Sequence, residues 1–85
     1  MGKVISFGYT RRSQPPQADR IIDVRSMGHN MDDPQVDVLV NNLVTDYTDG
    51  QTLAIGCEKG KHRSVEIAKR IADKLRLRLQ HRDLK

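Results

Sequence analysis

The chain has 85 residues, 36% hydrophobic and 31% charged, with a formal net charge of +4. That length fits one domain, 1–85, with a small core, because a chain this size buries only about 60–65% of its unfolded surface. One cysteine excludes an intrachain disulfide framework and a Cys-rich zinc site; no apolar run approaches the roughly 18–20 residues of a transmembrane helix; and three aromatics (Phe7, Tyr9, Tyr47) are too few for a stacking-rich single-strand binder.

Lys3 to Tyr9 is rich in β-formers and reads as a short, mostly buried strand. Pro15-Pro16 punctuates the loop that follows. Arg20 to Arg25 reads as a second strand, and Ser26 to Asp33, with Gly28, Asn30 and two acids, as another loop. Asp33-Pro34 is a helix start, an N-cap followed by Pro at the first helical position. Val36, Val40, Leu43, Val44 and Tyr47 then share one helical face. After the Asp49-Gly50 turn, Thr52-Leu53-Ala54-Ile55 is a continuous apolar run suited to a central strand covered on both faces. Gly56 to Arg63 is a polar loop, and Ser64 to about Leu75 a helix with Val65, Ala68, Ile71, Ala72 and Leu75 on one face. Arg76-Leu77-Arg78-Leu79-Gln80 changes to period two and reads as a last strand, with Arg76 and Arg78 on one face and Leu77 and Leu79 toward the core. The order β-β-α-β-α-β predicts a single small α/β domain, a largely parallel four-stranded sheet with two packed helices.

The charge is uneven. Residues 1–56 carry a net of −2 and residues 57–85 a net of +6, so the basic character belongs to the last third. Such a run is either a solvated helix face or a patch for phosphate groups. With one thiol and no secretory stretch at the N-terminus, the expected compartment is cytoplasmic, with no membrane partner.

Gly56-Cys57-Glu58-Lys59-Gly60-Lys61-His62-Arg63-Ser64 lies between a buried strand and a helix, where loop amides and a helix N-terminus favour anions. Gly60 permits the positive φ that an amide nest requires, and Lys59, Lys61 and Arg63 add positive charge. The alternative is a basic surface loop before a capped helix. The loop is not a Walker A motif: three residues separate its glycines, and His62 follows Lys61. Cys57, five residues, then Arg63-Ser64 resembles the loop of cysteine-dependent phosphatases, in which a thiolate attacks phosphorus and an arginine holds the oxygens. No residue is selected as the general acid. Cys57, His62, His29 and His81 have no spacing that matches a zinc pattern, and neither metal nor cofactor is expected.

Several islands occur in order: Ser6-Phe7-Gly8-Tyr9, Ala18-Asp19, Ile22-Asp23-Val24-Arg25, Ala54-Ile55-Gly56-Cys57, Gly60 to Val65, and His81-Arg82-Asp83-Leu84. Together they resemble the C-terminal domain of the RNase adapter RapZ family. The resemblance implies an oligomeric α/β unit that binds small regulatory RNA and senses an amino-sugar phosphate around the Cys-to-Arg loop. It departs from the family at Cys57-Glu58-Lys59-Gly60, where Cys-Thr-Gly-Gly is usual. The Ser26–Asp33 and Val36–Asp49 stretches are also shorter than usual. The expectation is a compact, stand-alone relative without the family's kinase-like half, from a phage or mobile element.

By this resemblance Cys57, Gly60, His62 and Arg63 line the anion pocket, Ser64 caps the helix, and Glu58, Lys59 and Lys61 complete the loop. Arg25 reaches the same mouth or pairs with an acid, and Asp23 orients Arg25 or His62. Arg76, Arg78, Arg82 and Lys85 form an RNA-facing rim. The expected function is a non-catalytic module for a phosphorylated small molecule, RNA, or both. The alternatives are a phosphatase using Cys57 and Arg63, and an interaction module that modulates a larger RapZ-like protein.

Overall fold

The computed structural model describes residues 2–11 and 14–84. Its elements follow the expected order: β1 (Lys3–Gly8), β2 (Arg20–Asp23), α1 (Pro34–Asp46), β3 (Thr52–Cys57), α2 (Arg63–Leu75) and β4 (Arg78–His81). The sheet order is β2-β3-β1-β4, and every neighbouring pair is parallel. The carboxyl ends of all four strands therefore share one edge, and the loops that leave them gather there.

Helix α1 starts where local chemistry dictates. Asp33 accepts a hydrogen bond from the Gln35 amide at 2.9 Å, and Pro34 occupies the first turn, where no amide is needed. Val36, Val40 and Leu43 are buried, as the 3.6-residue period requires. In α2 the buried face carries Ile67, Ala68, Ile71 and Ala72. These residues join Val4, Leu53, Ile55 and Cys57 of the sheet in one apolar cluster, so both helices cover the same face.

Burial of Leu53, Ala54 and Ile55 is complete, so β3 is covered on its second face too. Among the described residues, no helix lies there. The Phe7 and Tyr9 rings meet edge to face at 4.9 Å, and a Cβ at Gly56 would collide with both. The Arg25 guanidinium lies 3.9 Å from the Tyr9 ring centroid and that of Arg82 lies 5.3 Å from the Phe7 ring centroid. Glycine and two stacked arginines thus replace a helical layer.

The last strand differs from the alternation in sequence. Arg76 is not on β4; it ends α2 in the left-handed region at φ 56, ψ 46. Its amide and that of Leu77 both bond to the Ala72 carbonyl, and Leu77 packs on the core. The leucine that mimicked strand alternation is the apolar anchor of a helix stop. An exposed arginine pays a steric cost in this conformation that glycine does not. Arg76→Gly is therefore expected to stabilise the fold by about 0.5–1 kcal/mol, read as a rise of a few degrees in thermal midpoint.

Ser6 is fully buried on β1, and its hydroxyl lies 2.6 Å from Nδ1 of His81. Burial holds the His81 pKa below the ordinary histidine value. The unfolded chain therefore takes up the proton first. The stability linked to His81 is full above about pH 6.5 and is lost as pH falls through the folded-state pKa. Urea midpoints at about pH 7.5 and about pH 5 should differ in the wild type, and the difference should shrink in His81→Gln.

Candidate functional site

At the carboxyl edge of the sheet, the segment between β3 and α2 is pressed against the end of β1. Gly60 has φ 73, and a Cβ there would lie 2.6 Å from the Gly8 nitrogen. A Cβ on Gly8 would in turn strike the Lys59 carbonyl group and lie 2.6 Å from the Gly60 nitrogen. The loop's carbonyls are held from outside. The Tyr9 amide donates to the Cys57 carbonyl at 2.9 Å. The Thr10 amide and hydroxyl donate to the Glu58 carbonyl at 3.0 and 2.8 Å. Arg11 Nε donates to the Lys59 carbonyl at 3.1 Å. Carbonyls anchored outward leave amides to turn inward, the arrangement of an anion-binding nest.

Cys57 sits inside that nest and, as a residue, is 3% exposed. The Gly60 amide donates to Sγ at 3.2 Å, and Ser64 Oγ lies 3.1 Å away. Burial pushes the thiol up, but the Ser64 hydroxyl and the Ser64, Gly60 and His62 amides outweigh it. The net pKa lies below the ordinary cysteine value. Ser64 is inside α2 and bonded to Cys57, so it does not cap the helix; the cap position is His62, whose side chain makes no capping bond.

Cations gather around the same point. Cys57 to Lys59 and Lys61 to Arg63 line a cavity of about 510 Å³, together with His29 from the β2–α1 connection. Lys59, Lys61 and His62 are exposed at the N-terminal end of α2. That end already carries partial positive charge, so the grouping is unfavourable until an anion joins it. Glu58 is the acid in the cavity wall.

Arg63 is 7% exposed, and its Nη1 donates to the carbonyls of Arg25 and Met27, each at 2.9 Å. This bond pair latches the β2–α1 connection onto the start of α2, which brings His29 to the loop. Arg25 is held by Asp23 through a fork with contacts of 2.8 to 3.1 Å while stacking on Tyr9. The Arg25 hydrogen bonds keep the Asp23 carboxyl below its ordinary pKa. Asp23 thus orients Arg25, and Arg25 also feels the charge of Glu58.

The expected RNA rim is divided. Arg76 and Arg78 are exposed, the first at the end of α2 and the second on β4 opposite Lys3. Arg82 is turned inward: its side chain is 10% exposed, forks onto Asp83, and donates to the Gln14 carbonyl at 2.8 Å. Lys85 lies outside the described residues. His29 was absent from the expected pocket, although a loop leaving a parallel strand beside β3 is where a further lining residue should be sought.

The sequence profile of the RapZ C-terminal domain matches residues 30–85, which take in α1, β3, the loop, α2 and β4. The chain belongs to the RapZ C-terminal domain family. A relative in Desulforudis audaxviator (strain MP104C), named a nucleotide-binding protein, is 30% identical over 116 residues, covering 94% of this chain and 39% of the relative. The chain thus spans about two-fifths of that curated relative. The aligned stretch is longer than the whole 85-residue chain, so the relative carries insertions that this RapZ-like domain lacks. Among the described residues, no helix is long and apolar enough to cross a membrane.

The hydrogen bonds around Sγ set the thiol's acidity, so Ser64→Ala should raise the Cys57 pKa. Thiolate absorbance followed against pH, with Cys57→Ser as the blank, reads this directly; a midpoint that stays put would separate Ser64 from the nest.

Proposed function

We propose that this RapZ-like domain is a non-catalytic binding module for a phosphorylated small molecule, with the phosphate seated against the Cys57–Ser64 loop. The observation that carries the reading is the grouping of Lys59, Lys61, His62 and Arg63 around one cavity at the positive end of α2. Lys59 and Lys61 act as mobile point charges, while loop amides and the helix end supply directed donors. His62 and His29 add two imidazole side chains to the cavity wall as further hydrogen-bonding groups. The relative's name, a nucleotide-binding protein, fits this chemistry, since a nucleotide is one such molecule; an amino-sugar phosphate, which the family resemblance implies, is another.

Arg63 supports binding over turnover. In a phosphatase of the cysteine type the arginine grips the phosphoryl oxygens. Here Nη1 is bonded to two backbone carbonyls, and the Gly60 amide faces the sulfur. The lowered Cys57 pKa is the one observation that favours the phosphatase reading. Exposed Arg78 beside Lys3, with Arg76 nearby in sequence, supports an RNA-backbone contact at the β4 edge as a second role. That contact would weaken steeply with added salt.

Calorimetry with inorganic phosphate tests the reading. Saturable binding is expected, weakened about tenfold in the Lys59→Ser/Lys61→Ser double variant, equivalent to about 1.4 kcal/mol. Absence of binding, or equal affinity in the variant, contradicts it. Hydrolysis of an aryl phosphate that disappears in Cys57→Ser would replace the binding reading with the enzymatic one.

A further inference from the structure

We propose that Asp83, braced by Arg82, is a positioning residue for the Cys57–Ser64 loop, acting through the backbone of Gly8. The ladder between β1 and β4 ends with the Arg82 amide donating to the Ser6 carbonyl at 2.9 Å. One step further along β1, the Gly8 amide donates to a side chain, Oδ2 of Asp83, at 2.8 Å. Asp83 thus takes the place that a continuing strand would fill with a carbonyl. Its side chain is 4% exposed, and a carboxylate so buried needs a charged partner. Arg82 provides it with a fork of contacts from 2.9 to 3.2 Å, and is itself fixed by the Gln14 carbonyl.

The consequence runs through Gly8. Its Cα has no room for a methyl group because the Lys59–Gly60 peptide lies against it. Gly60 is equally confined by the Gly8 nitrogen. Fixing the Gly8 amide from one side therefore fixes the Gly60 amide on the other, and that amide faces Cys57 Sγ at 3.2 Å. Arg82 also neutralises the carboxylate, so a negative charge behind the loop does not oppose an anion in front of it. The C-terminal segment, expected from sequence to meet RNA, in this way sets the geometry of the loop. The effect on Cys57 stands on the contacts alone; the effect on phosphate rests on the binding reading above.

The test is thiolate absorbance of the full chain against pH, with inorganic phosphate calorimetry alongside, for wild type, Asp83→Ala and Asp83→Asn. Asp83→Ala should raise the Cys57 midpoint by about one unit, a tenfold loss of thiolate below both values, and weaken phosphate about tenfold. Asp83→Asn, which keeps an oxygen for Gly8 but loses the charge pairing, should show a smaller rise. Val40→Ala, which destabilises the core from α1, should leave the midpoint in place and so separates positioning from general loosening. If the thiol midpoint moves while no protein binds phosphate, the positioning role stands and the binding reading falls. A folded Asp83→Ala with an unmoved midpoint overturns the positioning role, whatever happens to phosphate. Should Asp83→Ala not fold, unmoved midpoints in both Asp83→Asn and Arg82→Lys overturn it.

Discussion

Two backbones meet without side chains between them at the carboxyl edge of the sheet: Gly8, ending β1, and Gly60, at the crest of the loop before α2. A methyl group on either would push them apart. Everything that gives the loop its chemistry follows from that contact. It lets the Tyr9–Arg11 segment take the loop's carbonyls, leaves the Gly60 amide to face Cys57, and puts the start of α2 directly behind the sulfur. Because β1 and β3 are the central strands, the contact rests on the best-buried part of the sheet. A loop on such a base holds its amides in place before any ligand arrives, which lowers the ordering cost of binding.

Arginine and lysine are placed oppositely in this small molecule. Arg63 and Arg82 are turned inward, where each ties distant backbone to the sheet edge; Arg25 closes over Tyr9 under the control of Asp23. Lys59 and Lys61 remain exposed beside the cavity. The division suits the two side chains. A planar guanidinium satisfies two acceptors at once and stacks on a ring, whereas an ammonium group on a flexible stem follows a mobile anion. The net positive charge of the last third is therefore part framework and part exposed surface.

The sequence made the local features legible and hid the long-range ones. Asp33-Pro34 announces α1 because a cap and a first-turn proline act within three residues. The continuous apolar run of β3 and the Gly-containing basic loop after it point to a candidate anion site at a strand-to-helix junction, because those signals are also local. The fate of Arg63 and Arg82 was not legible. Arg63 donates to the carbonyls of Arg25 and Met27, and Arg82 to that of Gln14 besides its fork onto Asp83; a carbonyl acceptor leaves no mark in the residue that bears it. Arg76 misled for another reason: Leu77 serves a helix stop with the same spacing that a strand would use. Ser64, expected at the cap, lies two residues past it in the first turn because His62 takes the cap position without a side-chain bond.

The proposed function requires the inward amides and the cations around Cys57 to form a seat for phosphate. A crystal structure of the full chain grown with inorganic phosphate tests it most directly. One tetrahedral anion is expected in the cavity lined by Lys59, Lys61, His62 and His29, within hydrogen-bond distance of amides at the start of α2. A cavity empty of anion at saturating phosphate, with phosphate found instead along Arg76 and Arg78, would contradict it.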